Sequence, residues 1–157
     1  MPCTPSGGAL TGLILEVFRL NGRLLVAGDR LVAELGLTSA RWQVLGAIAL
    51  SDRPQPVAWL ARSMGLNRQG VQRIVNELQK EGLVAFKPNP NHRRAHFVIL
   101  TGSGKSVYDE AERLQGPWVS SLAEGVSVKD IATATRVAGV LREHLENAAV
   151  DRSEEHC

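Results

Sequence analysis

The chain has 157 residues, with 18 Lys/Arg against 16 Asp/Glu and a net charge of +2. This length suits one small domain with one substantial core. No stretch approaches the roughly 20 apolar residues that cross a bilayer, and residues 1–8 lack the basic start and apolar run of a signal peptide. We therefore expect a cytoplasmic protein without membrane contact.

The charge is divided unevenly along the chain. Residues 1–100 hold 12 Lys/Arg and 6 Asp/Glu, a net +6, whereas residues 101–157 hold 6 and 10, a net −4. A basic segment favours an anionic partner. We expect such a partner to meet residues 1–100 and to avoid the acidic C-terminal part.

A long helix is predicted over residues 9–34. Its apolar residues recur at spacings of three, four and seven, which places them on overlapping faces, although Gly12, Gly22 and Gly28 lower the helix propensity. These apolar residues are Leu10, Leu13, Ile14, Val17, Leu20, Leu24 and Leu31. So small a domain cannot bury all of them, which predicts an interface between two copies of the chain; an ordinary core stripe is the alternative.

A second helix is predicted to begin at Thr38 or Ser39, because either side chain can cap a helix N-terminus. The following apolar residues have the spacing of one buried helix face. That predicted face consists of Trp42, Leu45, Ile48 and Ala49.

Two further helices follow in close succession. Residues 57–64 form the first, Gly65 supplies a tight turn, and residues 67–81 form the second, which Gly82 ends. In the second helix, apolar residues at i, i+3, i+4 and i+7 predict one buried stripe, namely Val71, Ile74, Val75 and Leu78. This pattern is typical of a helix-turn-helix.

The opposite face of the second helix is polar and basic. Its side chains can hydrogen-bond base edges or phosphate oxygens, and no acidic residue occurs before Glu77. The predicted DNA-binding residues of this face are Asn67, Arg68, Gln69, Gln72, Arg73 and Asn76. An ordinary solvated helix face would use the same residue types, so this pattern alone leaves both interpretations open.

A β-hairpin is predicted next, with strands at residues 83–87 and 96–100 and a loop at residues 88–95. His92, Arg93 and Arg94 lie in this loop. Arginine inserted into a narrow minor groove gains from its enhanced negative potential, with little dependence on base identity. The hairpin is therefore predicted to be a DNA-binding wing; a solvated loop tip is the alternative.

Two helices are predicted at the C-terminal end. One spans about residues 103–123 and is expected to be interrupted and kinked at Gly116–Pro117. Ser127 is predicted to cap the last helix, which extends to about residue 148. Its apolar stripe consists of Ile131, Ala134, Val137, Ala138, Leu141 and Leu145.

The chain resembles the MarR family of bacterial winged-helix transcription regulators over nearly its whole length. The matching segments are Leu60-Ala61 before Gly65-Leu66, residues 71–78, Gly82-Leu83-Val84, the wing at residues 89–95, and Val98 to Thr101 running into Gly104. One position departs from the family pattern: His92 stands where members usually carry an aspartate that orients the wing arginine. This departure implies a less rigid or pH-sensitive wing, or a histidine that is simply exposed to solvent.

The resemblance implies a mainly α fold with a small β-wing, namely a winged helix-turn-helix with long N- and C-terminal dimerisation helices. Within a single domain of residues 1–157, the DNA-binding region would span about 38–101 and the dimerisation helices about 9–34 and 103–148. Residues 1–8 and 149–157 would be flexible tails. Thr38 and Ser39 are candidate contacts to the DNA backbone.

The resemblance also implies a function. The expected protein is a homodimer that binds double-stranded DNA at a roughly palindromic operator, acts as a repressor, and is released by a small aromatic effector. The candidate effector-binding residues are Trp42, Trp59, Trp118, Arg23 and Arg41. Each tryptophan also fits an ordinary core position.

Other kinds of site have little support in the sequence. Gly104-Lys105-Ser106 matches the end of a phosphate-binding loop, but Ile99 occupies the position of its first glycine. The four histidines show no metal-site pairing apart from weakly placed His92 and His96, and Cys3 and Cys157 lie at the two ends. We therefore expect no enzyme, metal or cofactor. The alternative function is a winged-helix scaffold that binds proteins instead of DNA.

Overall fold

A computed structural model describes the backbone of residues 4–154 and the side chains of residues 4–149. The chain divides into two compact units, Met1–Gly116 and Pro117–Cys157. The fold is mainly helical with a small sheet, as predicted. In chain order, the elements are α1 (Pro5–Val32), a 3-10 turn (Ala33–Leu35), α2 (Ser39–Ala49), β1 (Gln55–Pro56), α3 (Val57–Ser63), α4 (Arg68–Lys80), β2 (Val84–Lys87), β3 (Phe97–Leu100), α5 (Gly102–Leu122) and α6 (Val128–Glu154).

Helix α1 begins at Pro5, four residues before the predicted start. Thr4 caps it, with its Oγ1 accepting a hydrogen bond from the Gly7 backbone N–H at 3.1 Å. Proline suits the first turn of a helix, where its missing N–H has no intrahelical partner. Residues 5–8 and 149–154 of the predicted tails are therefore helical, whereas Cys3 and Cys157 lie outside the described residues.

Helices α1 and α2 approach closely at Gly28. A Cβ atom on Gly28 would collide with Ser39 Oγ, which is why only glycine fits there. Ser39 Oγ donates a hydrogen bond to the Leu25 carbonyl at 2.7 Å, and the Ser39 N–H donates to Asp29 at 2.6 Å. Of the two predicted caps of α2, Thr38 is confirmed, with its Oγ1 accepting from the Arg41 N–H at 3.3 Å.

The core of the first unit lies where α2, α3, α4 and the sheet meet. The predicted stripe of α4 is confirmed, because Val71, Val75 and Leu78 are buried and Ile74 is half-buried. The predicted face of α2 is wrong at one position: Ala49 is exposed, and Val44 is buried in the core instead. Residues from the other core elements are Val57, Leu60, Ala61, Val84 and Val98.

The two strands of the wing, β2 and β3, belong to a three-stranded antiparallel sheet with the order β1-β3-β2. Strands β2 and β3 pair from Val84 opposite Leu100 to Lys87 opposite Phe97, which confirms the predicted hairpin. Sequence analysis missed β1, whose Gln55 pairs with Val98. A strand of two residues that contains a proline has no alternation to detect, and proline is confined to sheet edges.

Helix α5 begins against the turn that precedes β2. Thr101 Oγ1 donates to the Gly82 carbonyl at 2.6 Å and accepts from the Gly104 N–H at 3.0 Å. A Cβ atom on Gly104 would overlap the Leu83 carbonyl oxygen. Gly104, the first residue of the Gly104-Lys105-Ser106 segment, therefore allows α5 to approach the backbone of Leu83 closely.

We expect Gly104→Ala to lower the free energy of unfolding by about 1–3 kcal/mol or more, because the added methyl group must displace backbone. Urea denaturation followed by circular dichroism measures the change. Gly102→Ala is the matched control, since a Cβ atom there has nothing within 4 Å. Equal stability of the two variants would contradict the proposed backbone contact.

Helix α5 continues through Pro117, so the predicted interruption does not end it. In the second unit, Ser127 caps α6 as predicted, because its Oγ accepts from the Asp130 N–H at 3.1 Å. Val137 and Leu141 of the predicted α6 stripe are half-buried, whereas Ile131 and Leu145 are exposed. Among the described residues, no helix has the length and apolar character to cross a membrane.

Candidate nucleic-acid interface

Helix α4 separates its two faces as the sequence predicts. Arg68, Gln69, Arg73 and Asn76 are exposed, and Gln72 is half-buried, opposite the buried apolar stripe. Asn67 is the N-cap, and its Oδ1 accepts from the Gly70 N–H at 2.7 Å. This oxygen therefore has a structural partner, because it satisfies a backbone donor that the first helical turn leaves free.

A groove of about 240 Å³ joins α4 to the wing. Arg68, Gln72 and Asn76 line it from the helix, and Arg94 and His96 line it from the wing. Arg94 follows Asn76 by 18 residues in the sequence. The structure places it beside the polar face of α4. Two guanidinium groups and two amide side chains that line one groove can bind phosphate oxygens and base edges together.

Sequence analysis did not assign His96 to this surface. The sequence predicts it as the first residue of a strand and, with His92, as a weak metal-site pair, whereas β3 begins at Phe97 and His96 is exposed. The His96 ring lies 6.3 Å from the Phe86 ring, at an angle of 58°. Its contact with the groove depends on how the hairpin packs beside α4, which local sequence patterns do not predict.

The wing loop is organised by Asn89, a residue that the sequence marks only as a turn former. Asn89 is buried; its Nδ2 donates to the Ala95 carbonyl at 2.9 Å, and its Oδ1 accepts from the Asn91 N–H at 3.0 Å. The His92 N–H donates to the Asn89 carbonyl at 3.1 Å. One amide side chain therefore closes the loop that carries His92, Arg93 and Arg94, all of which are exposed.

We expect Asn89→Ala to loosen this loop and to cost about 1 kcal/mol, because two hydrogen bonds of a buried amide are lost. Faster hydrogen exchange at the Asn91 amide would report the effect. Asn91→Ala is the matched control, since only the Asn91 backbone takes part in the described contact. If both variants exchange at the wild-type rate, Asn89 does not hold the loop.

Comparison with known proteins shows the fold and a family similarity over part of the chain. The MarR family model matches residues 35–95, which include α2, α3, α4 and the wing loop. This segment of the chain is similar to the MarR family. An uncharacterized protein of Mycobacterium tuberculosis is 42% identical over 95 residues, which cover 60% of this chain and 65% of that protein.

Two further proteins are similar to this chain. The transcriptional activatory protein BadR of Rhodopseudomonas palustris is 31% identical over 102 residues, covering 62% of this chain and 57% of BadR. The chain thus matches less than two thirds of the length of either curated relative. A mutant MarR from E. coli, solved in complex with operator DNA, has a TM-score of 0.69 at 23% identity, covering 84% of this chain and 97% of that one.

The two candidate DNA-backbone residues have different environments. Thr38 is exposed at the N-terminus of α2. Ser39 is 5% exposed, and both its hydroxyl and its backbone N–H are bonded to α1. The Ser39 hydroxyl is thus engaged in the α1–α2 contact, and its contact with the DNA backbone stays a prediction.

Arg41 is likewise held within the fold. Its Nη1 donates to the Gly36 carbonyl at 2.9 Å, and its Nη2 forms an ion pair with Glu81, the residue that follows α4. The side chain is 14% exposed. Arg41 therefore links the start of α2 to the end of α4, and its role in effector binding stays a prediction.

The other effector candidates have different environments. Trp42 lines an open groove of about 500 Å³ together with Leu50, Met64, Tyr108 and Glu112. Trp59 is exposed on α3, Arg23 is exposed on α1, and Trp118 belongs to the second unit. Burial raises the pKa of the Tyr108 hydroxyl, and Glu112 raises it further, so the phenol stays protonated as a donor to Glu112.

Proposed function

We propose that this chain is a DNA-binding transcription regulator. The observation that carries the proposal is the continuous polar and basic surface formed by the exposed face of α4 and Arg94 of the wing. In helix-turn-helix proteins, the second helix enters the major groove, and arginines of a wing can enter the adjacent minor groove. The E. coli MarR mutant of similar fold, complexed with operator DNA, supports the same use of this surface.

The exposed apolar side chains of α1 support a homodimer. Leu20 is 54% exposed and Phe18 is 70% exposed, although both lie in a regular helix. Contiguous apolar surface of this kind marks an interface more often than a solvated face. The other exposed large apolar residues of α1 are Leu13, Ile14, Leu15, Val17, Leu24, Leu25 and Val26. A two-fold dimer presents two copies of α4, so the proposed operator is roughly palindromic.

Repression is the direction we propose, because a protein that occupies a promoter blocks it without any further surface. Activation is the alternative, because the similar protein BadR is named a transcriptional activatory protein. In vitro transcription from a promoter that carries the selected site decides between them. Output below the protein-free level supports repression, whereas output above it contradicts repression.

A small aromatic effector is proposed to bind the Trp42 groove. Trp42 and Tyr108 provide aromatic faces, and Glu112 is the charged residue among those that line it. With Arg41 held by Glu81, an effector that carries an amine or a neutral polar group suits this groove better than a carboxylate. Thermal shifts with matched aromatic amines and aromatic acids test the choice, and stabilisation by the acids alone would contradict it.

The central test is a selection of genome fragments with purified protein at near-physiological salt, since affinities without controlled salt cannot be interpreted. Enrichment of one inverted repeat is the expected result, and it supports a dimeric, sequence-specific regulator. Retention of no fragment by folded protein would overturn DNA binding and favour the scaffold alternative.

A further inference from the structure

Gln72 and Asn76 lie one turn apart on α4, and a hydrogen bond joins their side chains. Gln72 Nε2 donates to Asn76 Oδ1 at 2.9 Å. Both amides also line the groove between α4 and the wing, with Arg68 and Arg94 beside them. The two neutral amides are thus joined to each other and surrounded by cations that would attract the DNA backbone.

The hydrogen bond limits what the pair can offer to a base. With Gln72 as the donor, Gln72 Oε1 remains an acceptor and Asn76 Nδ2 remains a donor. If both amides turn over, Gln72 Nε2 becomes the free donor and Asn76 Oδ1 the free acceptor. In either arrangement, the two groups that lie outside the hydrogen bond are one donor and one acceptor.

One base matches this combination in the major groove. Adenine presents the acceptor N7 beside the donor N6, whereas guanine presents two acceptors, N7 and O6. Against guanine, the free donor of the pair would meet one acceptor, and the free amide oxygen would face the other without a proton between them. Cytosine offers a donor, and thymine offers an acceptor beside its methyl group, so neither satisfies both amides.

We propose that Gln72 and Asn76 act together as one adenine-reading pair in the major groove. The proposal rests on the DNA binding proposed above and adds the identity of one base in each half-site. The existing hydrogen bond orders both side chains before binding, which reduces the entropy lost when they meet the base.

The test uses the full chain and the operator recovered by the fragment selection. Each adenine in turn, at equivalent positions of the two half-sites, is replaced by 7-deaza-adenine, which lacks the N7 acceptor but still pairs with thymine. We expect one position at which this replacement weakens binding by about 10-fold or more, and at which guanine weakens it at least as much.

Three variants then assign that position to the pair. With Asn76→Ala or Gln72→Ala, binding to the unmodified operator falls by a similar factor, and 7-deaza-adenine at the same position causes little further loss. The double variant loses no more than either single variant, because the two amides act as one unit. Gln79→Ala is the matched control: it changes the same residue type in α4 outside the groove and keeps the wild-type response.

The outcomes separate this inference from the proposed function. Binding that is insensitive to 7-deaza-adenine at every position overturns the adenine-reading pair while DNA binding stands. A sensitivity that persists in both single variants also overturns it, because another residue must then contact N7. If the folded protein binds no DNA, the proposed function fails, and this inference fails with it.

Discussion

Arg94→Ala is expected to weaken binding to all DNA sequences, by about 10-fold or more at near-physiological salt. Arg94 extends the basic surface of α4 across the groove to the wing, so its loss removes a cationic contact that does not depend on base identity. In a two-fold dimer the loss occurs twice. The slope of log K against log salt should therefore fall by about 2, one unit for each lost contact.

Two arginine variants control this result. Arg73→Ala removes a side chain from the exposed face of α4 and is expected to relax base preference, with a smaller effect on the salt slope. Arg136→Ala makes the same change of charge on α6, outside the winged-helix segment, and should leave binding unchanged. Wild-type affinity and slope in both Arg73→Ala and Arg94→Ala would refute the proposed contact surface.

Leu20→Glu is expected to convert the proposed dimer into a monomer. Leu20 lies in the exposed apolar part of α1, and a carboxylate there would be buried without a partner once in each subunit. If the two substitutions together cost about 3 kcal/mol, the dissociation constant of the dimer rises roughly 100-fold. Sedimentation equilibrium of wild type and variant over a dilution series measures this constant directly.

Asn21→Glu is the matched control, because it adds the same charge at a neighbouring exposed polar position. The wild type should also melt at a lower temperature on roughly 100-fold dilution, because dilution favours dissociation of the dimer. A wild-type protein that is monomeric throughout, with a melting temperature independent of concentration, would count against the dimer. In that case, Leu20→Glu would leave the sedimentation profile unchanged.

The helix pair and the hairpin were predictable because their signals are local. An apolar stripe at helical spacing requires one buried face, which placed Val71, Val75 and Leu78 inside and Gln69 and Arg73 outside. The strands of the wing carry apolar runs on either side of a turn-forming loop, and their pairing follows from that arrangement. The polar face of α4 could therefore be predicted as a candidate site before any tertiary contact was known.

Local signals failed where a side chain has its partner far along the chain. Thr38 and Ser39 look equivalent as caps, yet the close approach of Gly28 buries Ser39 and leaves Thr38 exposed. Arg41 looks like a free cation, yet Glu81 lies 40 residues away in sequence and pairs with it. Neither arrangement has a periodicity or a motif that could reveal it.

The sequence by itself determined the secondary structure of the winged helix and which face of α4 is polar, because burial of an apolar stripe decides both. Tertiary structure decided which polar residues remain available on that face and around it. It assigned Asn89 to the loop and Arg41 to an ion pair, and it joined Gln72 to Asn76 beside Arg94. The physical reason is that hydrogen bonds and ion pairs depend on the positions of particular atoms, which only the packing of the elements brings together.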